Sequence, residues 1–575
     1  MRILGINDGH NAAACLYEDG QVIAGLQEER LRRVKNWSGM PTQAIRTVLD
    51  LAGTSLDQVD FVAMNGHYAA FPMTRDQLME EYRTINDWDV SVRRALRRAT
   101  RRVLRRTPLF RSQRARRQHR RVGELLAMGI PLDRIVFVDH HTAHAAAAYY
   151  GLANFEDDVL VLTCDGAGDG LCATVNIGRR GRLERLHQIR QAESIANIYA
   201  MITFLMGMVP LEHEYKLMGL APYAEPRGAD QVFREFQRLT RFDPRDPLGW
   251  TRAPGCPETY LSYRFFRSLC ERQRFDWIAG GLQLFVEFML TEWVKRCIKE
   301  TGIRRLALSG GIFMNVKANK QILELPEVKD LFVYPSCGDE TNAMGAAYWV
   351  YAERAGVAKI APVRDLYWGR AFTDQEVERA LRGFSFTVPA TYERMPKVEL
   401  AVARLLAEGH VVARFKGREE FGARALGNRS ILGNPSDTRV VRVINEAIKS
   451  RDFWMPFAPS LLEESCSDYL VNPKNVRAPH MILSFDTTER RSELAGAIHP
   501  FDFTARPQEV SAELNPDYHA LLKEFQRLTG IGGVLNTSFN LHGYPIVSGP
   551  EDALDVFQRS GLTLLAIQDW LVAKR

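Results

Sequence analysis

Short apolar runs that stop at glycine-bearing polar turns recur through the first half of the chain. Residues 2–6 read as a strand, break at Asp8-Gly9-His10-Asn11, resume over 12–17, turn at Asp19-Gly20 and resume over 21–26. The same order returns about 155 residues later: a strand over 159–163, the turn Asp165-Gly166-Ala167-Gly168-Asp169-Gly170, a strand over 172–177, a turn over 178–181 and a strand over 183–189. This reads as a cryptic internal duplication. Its glycine-rich hairpins expose backbone N–H groups that can cradle phosphates, and a two-lobed fold with a nucleotide between its lobes needs one hairpin from each half. Two more strands, 305–308 and 331–334, each run into a glycine turn and a helix, over 317–325 and 342–352. The first of these sets Ser309-Gly310-Gly311 before a helix N-terminus, a geometry that brings backbone close to phosphate.

An apolar run over 136–139 ends at Asp139, and an alanine-rich stretch from His140 predicts a helix. Residues 212–221 read as a bend between apolar segments, carrying Lys216 and Gly219. Residues 224–275 are rich in Arg, Pro, Asp and aromatics and read as an insertion or lid, and 277–299 as an amphipathic helix. In the second half, 411–415 and 534–535 read as strands and 445–449 as a helix.

At 575 residues the chain is too long for one core. A net charge of +6 is small for this size and does not point to a nucleic-acid partner. The eight cysteines form no C-x-x-C pair, which argues against zinc ribbons and disulfide frameworks and fits a reducing cytoplasm. The opening MRILGIND reads as a strand rather than a signal peptide, and the apolar stretch 199–211 is too short to span a membrane. One charge run stands out: the pairs Arg93-Arg94, Arg97-Arg98, Arg101-Arg102 and Arg105-Arg106 within 91–121. A four-residue period makes them a solvated helix face, or else a surface for an anionic partner.

The candidate chemistry is concentrated in few places. His140 and His144 are four residues apart, so a helix presents both imidazoles on one face, where they can share an ion. They can also be polar groups at a helix N-terminus with no ion. Asp165, delivered at a strand end shortly downstream, favours the metal, and two imidazoles plus carboxylate suit Fe, Zn or Mn. Asp339, at a second strand end beside Gly338, is the fourth ligand or else a helix cap. His141 points elsewhere. In the second half, Arg424, Lys449, Arg451, Arg506 and Ser538 sit among Gly, Ala and aromatic residues rather than in polar runs, as a site for small phosphorylated anions requires.

The ordered motifs HHTAHA, CDGAGDG, EYKLMGLA, SGGIFMN and GDETNAMGAA resemble the tRNA threonylcarbamoyltransferase (TsaD-like) fold of the actin/sugar-kinase superfamily. With GREEFGARALGNRSILGNP, IKSRDFWMPFAPS, RPQEV and NTSFNLHGYPIV, the whole chain resembles the O-carbamoyltransferases of natural-product and nodulation-factor biosynthesis. The resemblance implies an α/β protein: a duplicated TsaD-like domain over 1–357 that binds metal and ATP, then a YrdC-like domain over 358–575. It also implies two stages. Carbamoyl phosphate loses its phosphate, and the carbamate attacks the α-phosphorus of ATP, giving carbamoyl-adenylate and pyrophosphate. A hydroxyl then takes the carbamoyl group and AMP leaves, beside a divalent metal that is iron(II) in the best-known members; Mg2+ can accompany the ATP.

By position, the resemblance makes His140, His144, Asp165 and Asp339 metal ligands. Lys216, Gly219, Gly310, Gly311, Asn315 and Gly168 become nucleotide contacts, and His10 a group near the reactive centre. Lys449, Arg451, Arg506 and Ser538, assisted by Arg424, form the adenylate-forming site. One departure stands in that site: many relatives have Arg where this chain has Met455. The partner is then a hydroxylated small molecule such as a glycoside or macrolide, with no nucleic acid and no membrane; the oligomeric state stays open, a homodimer being one option. A tRNA-modifying enzyme of the threonylcarbamoyl type is the alternative, and a non-catalytic nucleotide-binding relative of the sugar kinases a third reading.

Overall fold

The computed structural model describes residues 1–68, 74–88, 118–119, 121–256, 258–259, 262–449 and 451–575. The paired arginines from Arg93 to Arg106 lie outside the described residues. The chain divides into two compact units, one of Met1–Ala24 with Asn36–Pro362, the other of Gly25–Lys35 with Val363–Arg575.

The first unit contains two five-stranded sheets of the same connectivity. One runs β3-β2-β1-β4-β5, from β1 (Arg2–Asn7), β2 (Ala13–Glu18), β3 (Gln21–Gln27), β4 (Phe61–Asn65) and β5 (Ile135–Val138). The other, read from its far edge, runs β8-β7-β6-β11-β12, from β6 (Val159–Gly168), β7 (Leu171–Arg179), β8 (Arg182–Arg190), β11 (Arg305–Ser309) and β12 (Asp330–Val333). In both, the first strand pairs antiparallel with the second and parallel with the fourth, and the fourth pairs parallel with the fifth. The two sheets repeat one α/β layout, as the internal duplication in the sequence predicts. β1 and β6 are almost wholly buried along their apolar runs, as strands covered on both faces must be.

Helices His140–Leu152 and Asn342–Ala355 follow β5 and β12, the equivalent fifth strands. Their backbones nearly touch. A Cβ added at Gly345 would stand 1.9 Å from the Ala143 carbonyl oxygen. Small residues on both helices permit this approach, which carries His144 to the start of the opposite helix.

Several local expectations need correction. Asp165 is not in a turn: β6 continues to Gly168, with its register broken between Cys164 and Gly168, so the glycines make a bulged strand end. Residues 212–221 do not bend but contain a helix, Glu214–Leu220. The stretch 224–275 holds helix Pro226–Gln237, a hairpin of β9 (Thr240–Asp243) and β10 (Asp246–Arg252), and helix Tyr263–Cys270. Gly228 and Gly281 let the Pro226–Gln237 helix lie against Phe275–Thr301, since a Cβ at Gly228 would strike the Trp277 ring at 2.2 Å. The long helix is therefore buried on most sides rather than amphipathic. Arg121, at the end of the arginine-rich run, is no solvated charge. It is buried, donates to both Asp8 carboxylate oxygens at 2.8 and 2.6 Å, and also donates to the carbonyls of Asn65 and Gly66.

The second unit is built on a mixed eight-stranded sheet of order β13-β22-β21-β14-β15-β20-β16-β19, whose outer strands are β13 (Ala390–Arg394), β22 (Trp570–Lys574), β21 (Leu564–Ile567) and β19 (Gln508–Val510). Its central strands β14 (Val412–Phe415), β15 (Arg429–Gly433), β20 (Gly533–Ser538) and β16 (Ala458–Leu462) are antiparallel neighbours in turn. Phe415, Ile431, Leu535, Phe557 and Ile567 lie in its core. Residues 445–449 form a π-helical turn, Asn445–Lys449, rather than an α-helix. Among the described residues no helix is long and apolar enough to cross a membrane.

Buried His480 gives this unit a pH signature. Burial pushes its imidazole down from 6.5 to about 4, against a smaller upward pull from the Arg364 backbone. The folded chain keeps it neutral while the unfolded chain takes up a proton below 6.5, so stability is lost as pH falls from 6.5 toward 4. Full loss amounts to about 3 kcal/mol. Urea unfolding at pH 6.5 and pH 4 should show this loss in the wild type and a smaller one in His480→Gln.

Candidate metal centre and anion site

His140, His144, Asp165 and Asp339 come together from a helix, a bulged strand end and a short turn after β12, each offering a ligand atom within 4.8 Å of the others. His140 Nε2 lies 3.3 Å from Asp165 Oδ2 and 3.5 Å from Asp339 Oδ1, and His144 Nε2 lies 3.3 Å from Asp339 Oδ1. Both imidazoles are buried. Asp339 caps no helix; its Oδ1 is buried and accepts no hydrogen bond. An orphaned carboxylate oxygen facing two imidazole nitrogens fits a divalent cation, which these four residues would hold.

The surroundings hold the donors in place. His144 Nδ1 is 3.2 Å from Ser309 Oγ at the end of β11, which leaves Nε2 to face the cluster. Asp169 Oδ2 accepts the backbone N–H of His140, and the same carboxylate accepts the N–H groups of His67 and Tyr68. Asp139 caps the His140 helix, accepting from Thr142 N, and Arg185 holds Asp139 at 2.5 Å. Burial alone would lower His140; the charges of Asp339, Asp165 and Asp169 outweigh it and hold the imidazole up at about 9. Asp165 is buried too, yet the three imidazoles His140, His144 and His141 hold it well below the carboxylate range. His141 faces away onto Thr163 Oγ1, and burial pushes it down to about 3.

Gly168 does steric work beside His140. A Cβ there would lie 2.0 Å from the His140 ring. Gly168→Ala must displace that ring, and metal affinity should fall about 10- to 100-fold, measured by chelator competition.

The remaining nucleotide-turn residues are placed as follows. Gly310, with φ of +115°, follows β11, and a Cβ on it would sit 2.2 Å from the Cys164 carbonyl oxygen. Gly311 N–H donates to Asp165 Oδ1 at 3.0 Å, joining this turn to the metal cluster. The Asn315 side chain is engaged within the protein: it caps helix Val316–Glu324 and exchanges two hydrogen bonds with Gln283. Lys216 and Gly219 lie on helix Glu214–Leu220, and burial pushes the neighbouring Glu214 up to about 7. His10 lies in the turn after β1, its carbonyl held by Asn7 Nδ2.

In the second unit Lys449, Ser538 and Arg451 converge. Lys449 Nζ donates to the Ser538 carbonyl and Oγ at 2.5 and 3.1 Å and to Asn540 Oδ1 at 2.7 Å. Arg451 reaches Thr537 Oγ1 at 3.1 Å, beside Ser538 on β20. Burial, with Arg451 and Lys35, pushes Lys449 well below its ordinary value. Burial, with Arg424 and Arg451, does the same to Arg506. Among the described residues no carboxylate pairs with Arg506. Cations crowded against one another in this way suit a polyanion. Met455 is buried.

The segment Gly25–Lys35 belongs to this site's framework, which no local pattern announced. Arg30 is buried against Glu419 at 3.0 Å and donates to the Gly422 carbonyl at 2.6 Å, while Gln27 Oε1 accepts the Gly422 N–H. Both sides of Gly422, two residues before Arg424, are thereby fixed.

Duplicated sheets, a two-histidine, two-aspartate cluster and a cationic site on a mixed sheet define a two-unit α/β protein. The family model described as carbamoyltransferase N-terminus matches residues 2–348, and that described as carbamoyltransferase C-terminus matches 403–574. The chain belongs to the carbamoyltransferase family. It is 31% identical to nodulation protein NolNO of Sinorhizobium fredii, over 98% of this chain and 79% of that protein. It is 32% identical to an uncharacterized Synechocystis protein, over 100% of this chain and 96% of that one. Among solved structures, full-length HypF in its phosphate- and nucleotide-bound form aligns with 62% of this chain and 56% of its own, at 13% identity and a TM-score of 0.32.

Proposed function

We propose that the protein is an ATP-dependent O-carbamoyltransferase acting on a hydroxylated small molecule. The observation that carries this reading is the cluster of His140, His144, Asp165 and Asp339 joined through Gly311 to a glycine turn, in a chain of carbamoyltransferase family. In the second unit Lys449, Arg451 and Arg506, with Arg424 and Ser538, neutralise carbamoyl phosphate and the ATP phosphates so that two polyanions can approach. Water releases phosphate from carbamoyl phosphate. A carbamate oxygen attacks the α-phosphorus, pyrophosphate leaves, and carbamoyl-adenylate is formed. In the first unit the turn at Gly310 and Gly311, with Lys216 and Gly219, binds the adenylate, and His10 lies near the reacting carbonyl. His140, His144, Asp165 and Asp339 would hold a divalent cation, iron(II) being the first candidate, and it would supply Lewis acidity there. The acceptor hydroxyl adds to the carbonyl, loses its proton and expels AMP. The likeness to nodulation proteins supports a small-molecule acceptor.

The test is incubation with ATP, carbamoyl phosphate and a panel of hydroxylated glycosides and macrolides. AMP and pyrophosphate should appear only when carbamoyl phosphate is present, and one acceptor should gain a carbamoyl mass. AMP formation indifferent to carbamoyl phosphate sinks the reading.

A further inference from the structure

Asn342 begins helix Asn342–Ala355 and is fully buried. Its Nδ2 lies 3.1 Å from His144 Nε2, and its Oδ1 is buried without a hydrogen-bond partner. This amide therefore points its donor at the nitrogen that faces Asp339, while the other imidazole nitrogen is engaged by Ser309 Oγ.

The two demands on His144 Nε2 conflict. An N–H donor uses the imidazole lone pair, and a cation bound by His144 uses the same lone pair. Entry of an ion must break the Asn342 contact. Left as it is, the buried amide would then have neither end paired. Rotation by half a turn about its last torsion exchanges oxygen for nitrogen within the same volume. It turns the orphaned Oδ1 toward the ion, and an amide oxygen is a good ligand for a divalent cation.

We propose that Asn342 is an additional donor of the metal centre, its amide oxygen turning to the ion when one binds. This rests on the metal reading of the four-residue cluster and extends it by one residue.

The test compares Asn342→Leu, which keeps the volume without an oxygen, with Asn342→Asp, which keeps an oxygen in place but has no N–H to offer His144. Co(II) affinity is measured by chelator competition, and the coordination shell by X-ray absorption. Leu should weaken Co(II) binding about tenfold or more and remove one N/O neighbour, whereas Asp should bind at least as tightly as wild type. If the amide only orients His144 by donating to it, Asp and Leu lose affinity alike, and the proposal fails. It fails equally if Leu binds Co(II) as wild type does. A wild-type chain that takes up no ion defeats the metal reading itself, a result separate from either variant.

Discussion

Asp339→Asn should cut carbamoyl transfer to the acceptor by roughly 10^3-fold or more while leaving carbamoyl-phosphate-dependent pyrophosphate release near the wild-type rate. The substitution is isosteric and removes only charge and lone-pair strength from the oxygen that faces both imidazoles. Its effect on folding should be small, because Asp339 Oδ1 makes no hydrogen bond to lose. His144→Ala should give the same division of activities with a larger stability cost, since it empties a fully buried site. The assay separates acceptor carbamoylation, read by mass spectrometry, from pyrophosphate release. Loss of both activities together would mean that the cluster serves the whole chain rather than the transfer stage.

Arg506→Leu should do the opposite, and with a second consequence. Adenylate formation should fall about 10^2- to 10^3-fold, because a preorganised cation facing two phosphates is removed. Stability should rise. Burial and the charges of Arg424 and Arg451 all disfavour the charged Arg506, and among the described residues no carboxylate offsets them. Removing an uncompensated cation from such a place is worth on the order of 1 kcal/mol, a rise of about 2–4 °C in Tm for a unit of this size. A stabilised, inactive variant marks a residue held in place for function against stability. A variant that is destabilised and fully active would place the anion elsewhere. Arg506→Lys should recover part of the activity, with a poorer KM for carbamoyl phosphate, because it keeps the charge and loses the planar fork.

Much of the candidate metal centre could be read from the chain because its signals are local. The i, i+4 spacing of His140 and His144 on an alanine-rich helix and the aspartates near glycines after strands are short-range patterns, and the structure brings these four side chains together. The duplication was legible for the same reason, since each hairpin carries its own turn residues. What escaped depends on distant backbone meeting. Gly168 is fixed by the His140 ring, Gly345 by Ala143, and Asn342 by an imidazole on another helix, and nothing near these residues in sequence shows it. The segment Gly25–Lys35 read only as the end of a strand and its sequel, yet Arg30 and Gln27 secure Gly422 nearly 400 positions later. The 224–275 stretch read as an insertion or lid, and its Arg, Pro and aromatic content did not announce the helices and hairpin it holds, with helix Pro226–Gln237 packed on Phe275–Thr301. The Asn315 side chain meets Gln283 and caps a helix, partners that its own motif did not show.

The account stands on one cation per chain in the first unit. Elemental analysis of protein purified without oxygen and reconstituted with Fe(II), beside the His140→Ala/His144→Ala double variant, measures this directly. The expected result is one ion per wild-type chain and none in the double variant, with both proteins folded. A wild-type chain with no stoichiometric ion, or a double variant that keeps its ion, contradicts it.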